Sequence, residues 1–422
     1  MKGNATVEKQ NTIELCASRV CYESMEMHAR GQIQKWLQDL LDDEVSMFLG
    51  RPKSVRVEEG AAASTGYRNG YGRPRRVALS SGTISVRRPR MRGLAERFES
   101  QVLPLFRRRS AELGELLPKL YLHGLSSGDF ELALRGLLGE GAPLSASSMQ
   151  RLKGIWQGEY ADWNNADLSK LELVYWWADG LYVKAGIADR RAALLVIVGA
   201  TSAGEKILLA CQAGERESKE SWLSVLRGLT ARGLGLPRLT VADGHLGIWA
   251  ALGELHPGGD EQRCWNHKIV NVLNDLPKPM QPEAAERLST MMYADTRAAC
   301  ERKRDEFLLR FKKTDAKACA TLVRDWHRLV SFFDYPQAHW VHLRTTNVVE
   351  SPFNAVRLRT DATRRFKKTD NAQAMIWKLL RVAEQSWRKL NSPELMRQVY
   401  SGKRFKDGVA VLTKDEPTRK AA

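Results

Sequence analysis

The sequence predicts a mixed α/β domain that a helical segment interrupts, preceded by a basic region of helices and a β-ribbon. From residue 171 onward, three strand-like runs follow one another and two more alternate with amphipathic helices. Residues 277–343 are charged and helical, with no strand pattern. Residues 28–165 combine helical periodicity with a hairpin signal. The order β-β-β-α-β-α-β-α is that of a ribonuclease H-like sheet.

The net charge indicates a polyanionic partner. The 422 residues carry a formal charge of +17, whereas a hydrophobic content of 43% is ordinary for a globular protein. Residues 51–110 contain 15 lysines and arginines against 4 acidic residues, and residues 344–389 contain 11 against 4. Many basic proteins bind no nucleic acid. Two arginine-rich stretches are nevertheless typical of a surface that contacts phosphates.

The cysteines and the apolar runs indicate a cytoplasmic protein. The six cysteines form no CxxC pair and no disulfide-like spacing, so we expect reduced thiols. The N-terminus lacks the apolar core of a signal peptide. The longest apolar run, residues 192–198, is far shorter than the roughly 20 residues that span a bilayer. We therefore expect no membrane partner.

The N-terminal region begins with a single long helix. Residues 1–27 carry little pattern and are predicted to be loose. Apolar residues then recur at helical spacing over residues 28–49, and the pattern stops at Gly50 and Pro52. This part of the chain therefore predicts an amphipathic helix that follows a loose N-terminus.

A basic ribbon is predicted next. Residues 75–79 and 84–88 flank an SSGT turn, and both interleave basic with apolar residues. The pattern suits a ribbon lying on a phosphate backbone, and a solvated hairpin is the alternative. We assign DNA contact to seven arginines of the basic stretches: Arg75, Arg76, Arg87, Arg88, Arg90, Arg92 and Arg359.

Two or three short helices are predicted between residues 110 and 162. Ser127 or Asp129 begins one of them, and the serines of LSASS begin another. Helix, short glycine-containing turn and helix is the outline of a helix-turn-helix, whose second helix enters a major groove. Many helical pairs with this outline bind no DNA.

The α/β domain is predicted in two parts, residues 171–276 and 344–400. The helices of residues 277–343 are an insertion between the parts, and a separate bundle domain is the alternative. Trp326 lies in an apolar stretch of these helices. Core packing is the favoured role for it, and stacking on a displaced base is the alternative. Residues 401–422 are predicted to be a polar tail, frayed from Arg404.

Three acidic residues stand at strand ends or at a helix start. Asp179 lies in WWADG, Asp243 in TVADG and Glu350 in TTNVVES. Each has a simpler interpretation. Asp179 is compatible with a D-G hairpin turn, Asp243 with a helix N-cap, and Glu350 with the first turn of a helix, where acids favour the dipole.

Taken together, the three acids predict a metal site. Strands one and four are neighbours in a ribonuclease H-like sheet, so Asp179 and Asp243 would stand side by side, and a helix packed on the sheet would supply Glu350. Three oxygen ligands with room for water suit Mg²⁺. Two such ions about 3.5–4 Å apart bind the attacking and leaving oxygens of an in-line phosphoryl displacement.

CWNH adds two metal-binding side chains after the fifth strand. Cys264 and His267 suggest zinc, but two ligands without a second pair make a poor structural site. One helical turn places both beside the end of the strand, near the acids. We therefore expect them to support the acids or to contact phosphate.

Six motifs resemble those of transposases of the Mutator family, the bacterial insertion-sequence branch with a DDE catalytic triad. The similarity covers roughly residues 30–400. The segment around Glu350 is the most specific. The six motifs are RNGYGR (68–73), VRRPRMR (86–92), WWADGLYVKAG (176–186), VADGHLGIW (241–249), CWNH (264–267) and RTTNVVESPFNAVRLRT (344–360).

The resemblance implies roles for particular residues. The three acids would be the catalytic ligands of two Mg²⁺ ions, for which Mn²⁺ would substitute. The side chains that match supporting positions of the family are Cys264, His267, Asn354 and Arg357. Residues 28–165 would be the region that binds DNA ends, and the helical segment would match the family's insertion domain. WWADG is more aromatic than in many relatives.

The resemblance also implies the reaction and the partners. A DDE transposase binds the terminal inverted repeats of its element, nicks them and joins the freed 3′-OH to target DNA. Pairing two ends implies a homodimer or a larger assembly on DNA, and a nucleoid-associated location in a bacterial cytoplasm. The alternatives are a catalytically silent end-binding repressor and a ribonuclease H-like nuclease.

Overall fold

The computed structural model describes most of the chain as two compact units. They comprise residues 1–152 and residues 153–422. No described helix is long and apolar enough to cross a membrane. The described residues are 22–55, 66–94, 98–104, 110–122, 125, 134, 138, 146–184, 191–214, 216–363, 366 and 368–411.

The first unit packs a long helix against a β-ribbon. Helix α1 (Tyr22–Leu49) begins before residue 28, so the last residues of the predicted loose segment are helical. The sequence pattern missed them because the side chains of residues 24–27 are largely exposed and carry no apolar periodicity. An ion pair one turn apart, Arg30 to Glu26 at 3.0 Å, lies in this first part of the helix.

The predicted ribbon is confirmed, and a second one extends it. Strands β2 (Arg75–Leu79) and β3 (Gly82–Val86) pair antiparallel, and β1 (Tyr67–Tyr71) pairs with β4 (Pro89–Arg92). The sequence missed the second ribbon because its strands are short and mostly exposed. The core beneath the ribbon consists of Leu41, Val77, Ile84, Val86 and Leu103.

Two helices follow the ribbons. Helix α2 (Ala111–Leu122) belongs to the first unit, and α3 (Ala146–Asn164) runs across the boundary between the units. The helix starts predicted at Ser127 and Asp129 lie outside the described residues. The helix-turn-helix interpretation therefore stays a prediction.

The second unit is built on a five-stranded mixed sheet. Its order is β7-β6-β5-β8-β9, in which the first three strands are antiparallel and the last two run parallel to β5. The predicted adjacency of the first and fourth strands is confirmed. The strands are β5 (Leu173–Lys184), β6 (Arg191–Thr201), β7 (Lys206–Gly214), β8 (Leu239–Ala242) and β9 (Asp260–Arg263).

Alternating side chains of β5 contact helices on both faces of the sheet. Trp176 and Ala178 pack in a core with α4 (Lys219–Ala231) and α5 (Leu246–Leu255). Trp177 points to the other face, where its indole Nε1 donates to the carbonyl of His342 at 2.8 Å. Asp179 shares this second face with Trp177.

Residues 277–343 contain helices and no strand, as predicted. They belong to the same compact unit as the sheet, which argues against a separate bundle domain. Gln262 of β9 joins them, because its amide donates to the carbonyl of Leu329 at 3.1 Å and accepts from Phe332 at 2.9 Å. The α-helices from β9 to residue 343 are α6 (Trp265–Asn274), α7 (Gln281–Met292), α8 (Arg297–Phe311), α9 (Ala316–Val323), α10 (Trp326–Leu329) and α11 (Trp340–Leu343).

The C-terminal region is helical and then turns back as a hairpin. The prediction of a frayed tail from Arg404 is wrong for residues 404–410. The backbone N–H of Gly408 donates to the carbonyl of Phe333 at 3.1 Å, which fixes the turn to the helices. The elements are α12 (Asn347–Thr363), α13 (Thr369–Glu384), α14 (Pro393–Tyr400), β10 (Phe405–Lys406) and β11 (Val409–Ala410).

The described cysteines agree with the expectation of reduced thiols. Cys211, Cys264, Cys300 and Cys319 are buried and free. Their distribution over the sheet and the helices is that of small apolar core residues.

Candidate active site

Asp179 lies inside a strand rather than in a turn. It pairs with Val196 across β5 and β6, so the hairpin-turn alternative is wrong. Its Oδ1 accepts the N–H of Gly180 at 2.8 Å. Burial, and then the Asp243 and Glu350 carboxylates, raise the pKa of Asp179 to about 7. Asp243 and Glu350 are therefore both close enough to Asp179 to repel its charge.

Asp243 follows the last residue of β8, at the same level of the sheet as Asp179. Ala178 and Ala242 face each other in the parallel pair, and an aspartate comes next in each strand. The Asp243 Oδ1 accepts the backbone N–H of His245 at 2.9 Å. His245, not Asp243, is the N-cap of α5, and it makes no side-chain cap. The parallel pairing of β5 with β8 thus brings both acids together.

Glu350 lies in the first turn of α12, as predicted. The Thr346 hydroxyl donates to its Oε1, which orients the carboxylate. His267 Nδ1 lies 3.8 Å from the same oxygen. One carboxylate oxygen of Glu350 is therefore oriented by a neighbouring hydrogen-bond donor, as is one oxygen of Asp179 and one of Asp243.

The CWNH and TTN motifs are joined by direct hydrogen bonds. Cys264 is the N-cap of α6, and its buried Sγ accepts the N–H of Thr346 at 3.4 Å. Asn266 donates to the side-chain oxygen of Asn347 at 3.3 Å. These contacts fix the start of α12, and with it Glu350, against the end of β9.

His267 faces the acids from the first turn of α6. Its hydrogen bond with Cys264, together with the Glu350 and Asp243 carboxylates, raises the pKa of His267 to about 9 against the opposing effect of burial. The ligand atoms of Cys264, His267 and Glu350 lie within 4.8 Å of one another. The structure thus brings both residues of CWNH to the predicted site, with Glu350 as their neighbour.

The other predicted residues differ in exposure. Asn354 and Arg357 follow Glu350 on α12 and are exposed. Arg359 is only 3% exposed, so this conformation does not present it to DNA. In the first unit four predicted arginines are exposed and two are half-buried. The exposed ones are Arg76, Arg87, Arg90 and Arg92, and the half-buried ones are Arg75 and Arg88.

Sequence reasoning missed Glu217 and His245. Their ligand atoms and that of Asp243 lie within 4.8 Å of one another. These three residues line an open cleft of 840 Å³ that also contains Lys219, Arg263 and Arg324. Glu217 precedes α4 in a polar loop, where no local pattern distinguishes it from a solvated acid. What distinguishes Glu217 as a candidate site residue is its burial, which only the folded structure shows.

The donor atoms fit divalent cations. Asp179, Asp243 and Glu350 provide carboxylate oxygens, which Mg²⁺ and Mn²⁺ prefer. Burial, and then repulsion by Asp243 and Glu350, disfavour the charged form of Asp179, and a bound cation would offset both effects. Cys264 and His267 are softer ligands, and the Cys264 Sγ is already occupied by the Thr346 N–H.

Comparisons with known proteins agree on one family. The model of the family described as "Transposase, Mutator family" matches residues 5–390. The transposase for insertion sequence element IS6120 of Mycolicibacterium smegmatis is 42% identical over 296 residues, which cover 70% of this chain and 92% of that protein.

A second relative and a solved structure extend the comparison. The transposase for insertion sequence element IST2 of Acidithiobacillus ferrooxidans is 40% identical, over 69% of this chain and 99% of that protein. The Drosophila P element transposase strand transfer complex matches 68% of this chain and 90% of that chain at 13% identity. The TM-score of this match is 0.24.

Proposed function

This chain belongs to the Mutator family of transposases, and we propose that it cuts and rejoins DNA at the ends of an insertion sequence with Asp179, Asp243 and Glu350 as its metal-binding carboxylates. The observation that carries the proposal is the convergence of these acids. Two lie at the same level of adjacent parallel strands, and the charge of the third acts on Asp179. A repressor without catalysis needs no such arrangement.

Each carboxylate is oriented by a fixed donor. Gly180 N–H binds one oxygen of Asp179, His245 N–H binds one oxygen of Asp243, and the Thr346 hydroxyl binds one oxygen of Glu350. The other oxygen of each acid would bind a cation. This preorganisation supports a site that binds Mg²⁺ without rearranging its backbone.

The proposed reaction has two steps at one site. Bound divalent cations supply charge neutralisation at the scissile phosphate and activation of the attacking oxygen. Water attacks phosphorus in line, and the bond to the 3′-oxygen breaks to free a 3′-OH. That hydroxyl then attacks a phosphorus of target DNA and expels the next 3′-oxygen. Because water and a 3′-OH are equivalent nucleophiles, the same carboxylates serve both steps.

We assign recognition of the DNA to the basic first unit. Its exposed arginines suit phosphate contacts, and residues 28–165 are the proposed region that binds terminal inverted repeats. Joining both ends of an element to one target requires two active sites, so we propose a homodimer or a larger assembly on DNA. The helices of residues 277–343 are the proposed insertion domain.

Metal removal tests the proposal. With duplexes that carry the element's terminal repeats, Mg²⁺ or Mn²⁺ is expected to support both nicking and strand transfer on a sequencing gel. EDTA is expected to abolish both while end binding in a gel-shift assay persists, since we assign affinity to arginines of the first unit, whereas the acids belong to the second. Hydrolysis without joining would favour a nuclease, and binding without either reaction would favour a repressor.

Trp326 is expected to act through packing. It is 9% exposed, its ring lies edge-on to Trp265 with centroids 6.0 Å apart, and the Arg304 guanidinium lies 4.8 Å from its centroid. Trp326→Ala should lower the free energy of unfolding by about 3–5 kcal/mol. The variant should react more slowly than the wild type, and by the same factor, with intact, pre-nicked and mismatched DNA ends. An unchanged Tm with slowing confined to intact duplex would instead support base stacking.

A further inference from the structure

Glu217 is a buried carboxylate beside Asp243 and two histidines. It is 8% exposed. The Asp243 carboxylate repels its charge, and the His245 and His267 imidazoles attract it. Buried carboxylates are ordinarily paired with a cation or bound to a metal. Tyr182 supplies a hydrogen bond but no charge.

Two glycines hold Glu217 in its position. A Cβ atom at Gly180 would lie 2.3 Å from the Glu217 Oε1, and one at Gly247 would lie 2.4 Å from its backbone oxygen. A larger residue at Gly180 would displace the carboxylate, and one at Gly247 would displace the backbone that carries it. Since neighbouring residues of a strand point to opposite faces, Glu217 lies across β5 from Asp179.

Asp243 is a neighbour of both carboxylates. It lies at the level of Asp179 in the parallel pair of β5 and β8, and its charge acts on both Asp179 and Glu217. Its ligand atom lies within 4.8 Å of those of Glu217 and His245. Two Mg–O bonds in line span about 4.2 Å, so a small closure or a bridging water would let one cation contact both carboxylates.

We propose that Glu217 is a fourth carboxylate of the catalytic centre and that, with Asp243, it binds one of the two divalent cations. The inference rests on the proposed function of Asp179, Asp243 and Glu350. It divides the site into an ion on the Glu350 side and an ion on the Glu217 side, with Asp243 contacting both.

Mn²⁺ binding to the full-length protein tests the role of Glu217 without measuring activity. Glu217→Gln keeps the size of the side chain and its hydrogen bond to Tyr182 but removes the charge. We expect it to weaken one Mn²⁺ site about tenfold or more, measured by electron paramagnetic resonance of free Mn²⁺. The rise in Tm that Mn²⁺ causes should shrink correspondingly.

Glu384→Gln is the matched control. Glu384 is also largely buried, and it accepts the N–H of Leu208 on a strand distant from the site. Its substitution should leave the Mn²⁺ titration unchanged. A Glu217→Gln protein that binds Mn²⁺ like the wild type and the control would overturn the inference.

Glu217→Asp provides a second test should Glu217→Gln fail to fold. It keeps the charge but withdraws the carboxylate by one methylene, so Mn²⁺ affinity should again fall, and unchanged affinity would overturn the inference. Cleavage distinguishes the two proposals. If both Glu217 variants cleave DNA like the wild type while Asp179→Asn does not, the proposed role of Glu217 is overturned and the proposed function stands. Cleavage that survives Asp179→Asn overturns the proposed function.

Discussion

Replacing Asp179 or Asp243 by asparagine, or Glu350 by glutamine, is expected to abolish cleavage and strand transfer while end binding persists. Each substitution removes a charged ligand from the proposed metal site. The loss of several kcal/mol of transition-state stabilisation corresponds to a rate decrease of at least about 10³-fold. DNA affinity should change little, because the exposed arginines of the ribbons are in the other unit.

The stability of these variants separates lost chemistry from lost folding. The pKa of Asp179 is raised from 3.8 to about 7 in the folded, metal-free protein. As pH rises, the Asp179 carboxyl therefore loses its proton in the unfolded state before it does so in the folded state. The contribution of this group to stability is present below about pH 4 and is lost as pH rises through about 7. Asp179→Asn should remove this part of the pH dependence and leave the metal-free Tm at pH 7 equal or higher.

Asp260→Asn is the control for these substitutions. Asp260 begins β9 at the opposite end of the sheet and accepts the hydroxyl of Tyr335 at 2.6 Å. This variant should cut and join DNA at the wild-type rate. Near-wild-type strand transfer by any of the three active-site variants, measured with pre-cleaved ends, would remove that residue from the catalytic centre.

Neutralising Arg87, Arg90 and Arg92 together is expected to give the largest loss of DNA affinity. All three are exposed in or beside the ribbons. Gln38 fixes this segment to α1, because its amide donates to the carbonyl of Arg87 and accepts its N–H, both at 2.9 Å. Substitution by glutamine should therefore leave the backbone in place.

The expected magnitude follows from counterion release. If each arginine neutralises one phosphate, the slope of log affinity against log salt falls by about 0.9 per residue. The triple variant should then bind roughly several hundredfold more weakly near 0.1 M salt. Fluorescence anisotropy at several salt concentrations measures both quantities, with a terminal-repeat duplex and a scrambled duplex side by side.

The matched control neutralises three exposed cations that already have acidic partners. Arg227, Lys317 and Lys389 pair with Glu254, Asp275 and Glu205 at 2.9, 2.7 and 3.0 Å. Such surface pairs contribute little to stability. An equal loss of affinity in this variant would indicate bulk charge rather than a ribbon surface. If the wild-type protein binds the terminal-repeat duplex and the scrambled duplex with equal affinity, it does not recognise the ends by sequence.

The sequence by itself determined the strand order, the positions of the three acids and the helical segment of residues 277–343. These features depend on short-range periodicity and on where a buried run stops, which are local properties of the chain. The CWNH and TTN motifs were recognisable by their resemblance to motifs of the family. Their hydrogen bonds, from Thr346 to Cys264 and from Asn266 to Asn347, join segments about 80 residues apart.

The tertiary structure decided what depends on distant neighbours. Asp179 precedes a glycine and locally resembles a turn, yet pairing with β6 keeps it inside a strand and Gly180 makes room for Glu217. Arg359 is basic but buried. Glu217 carries no local signal at all. Burial and electrostatic environment are properties of the packed chain, so no pattern of adjacent residues could have assigned them.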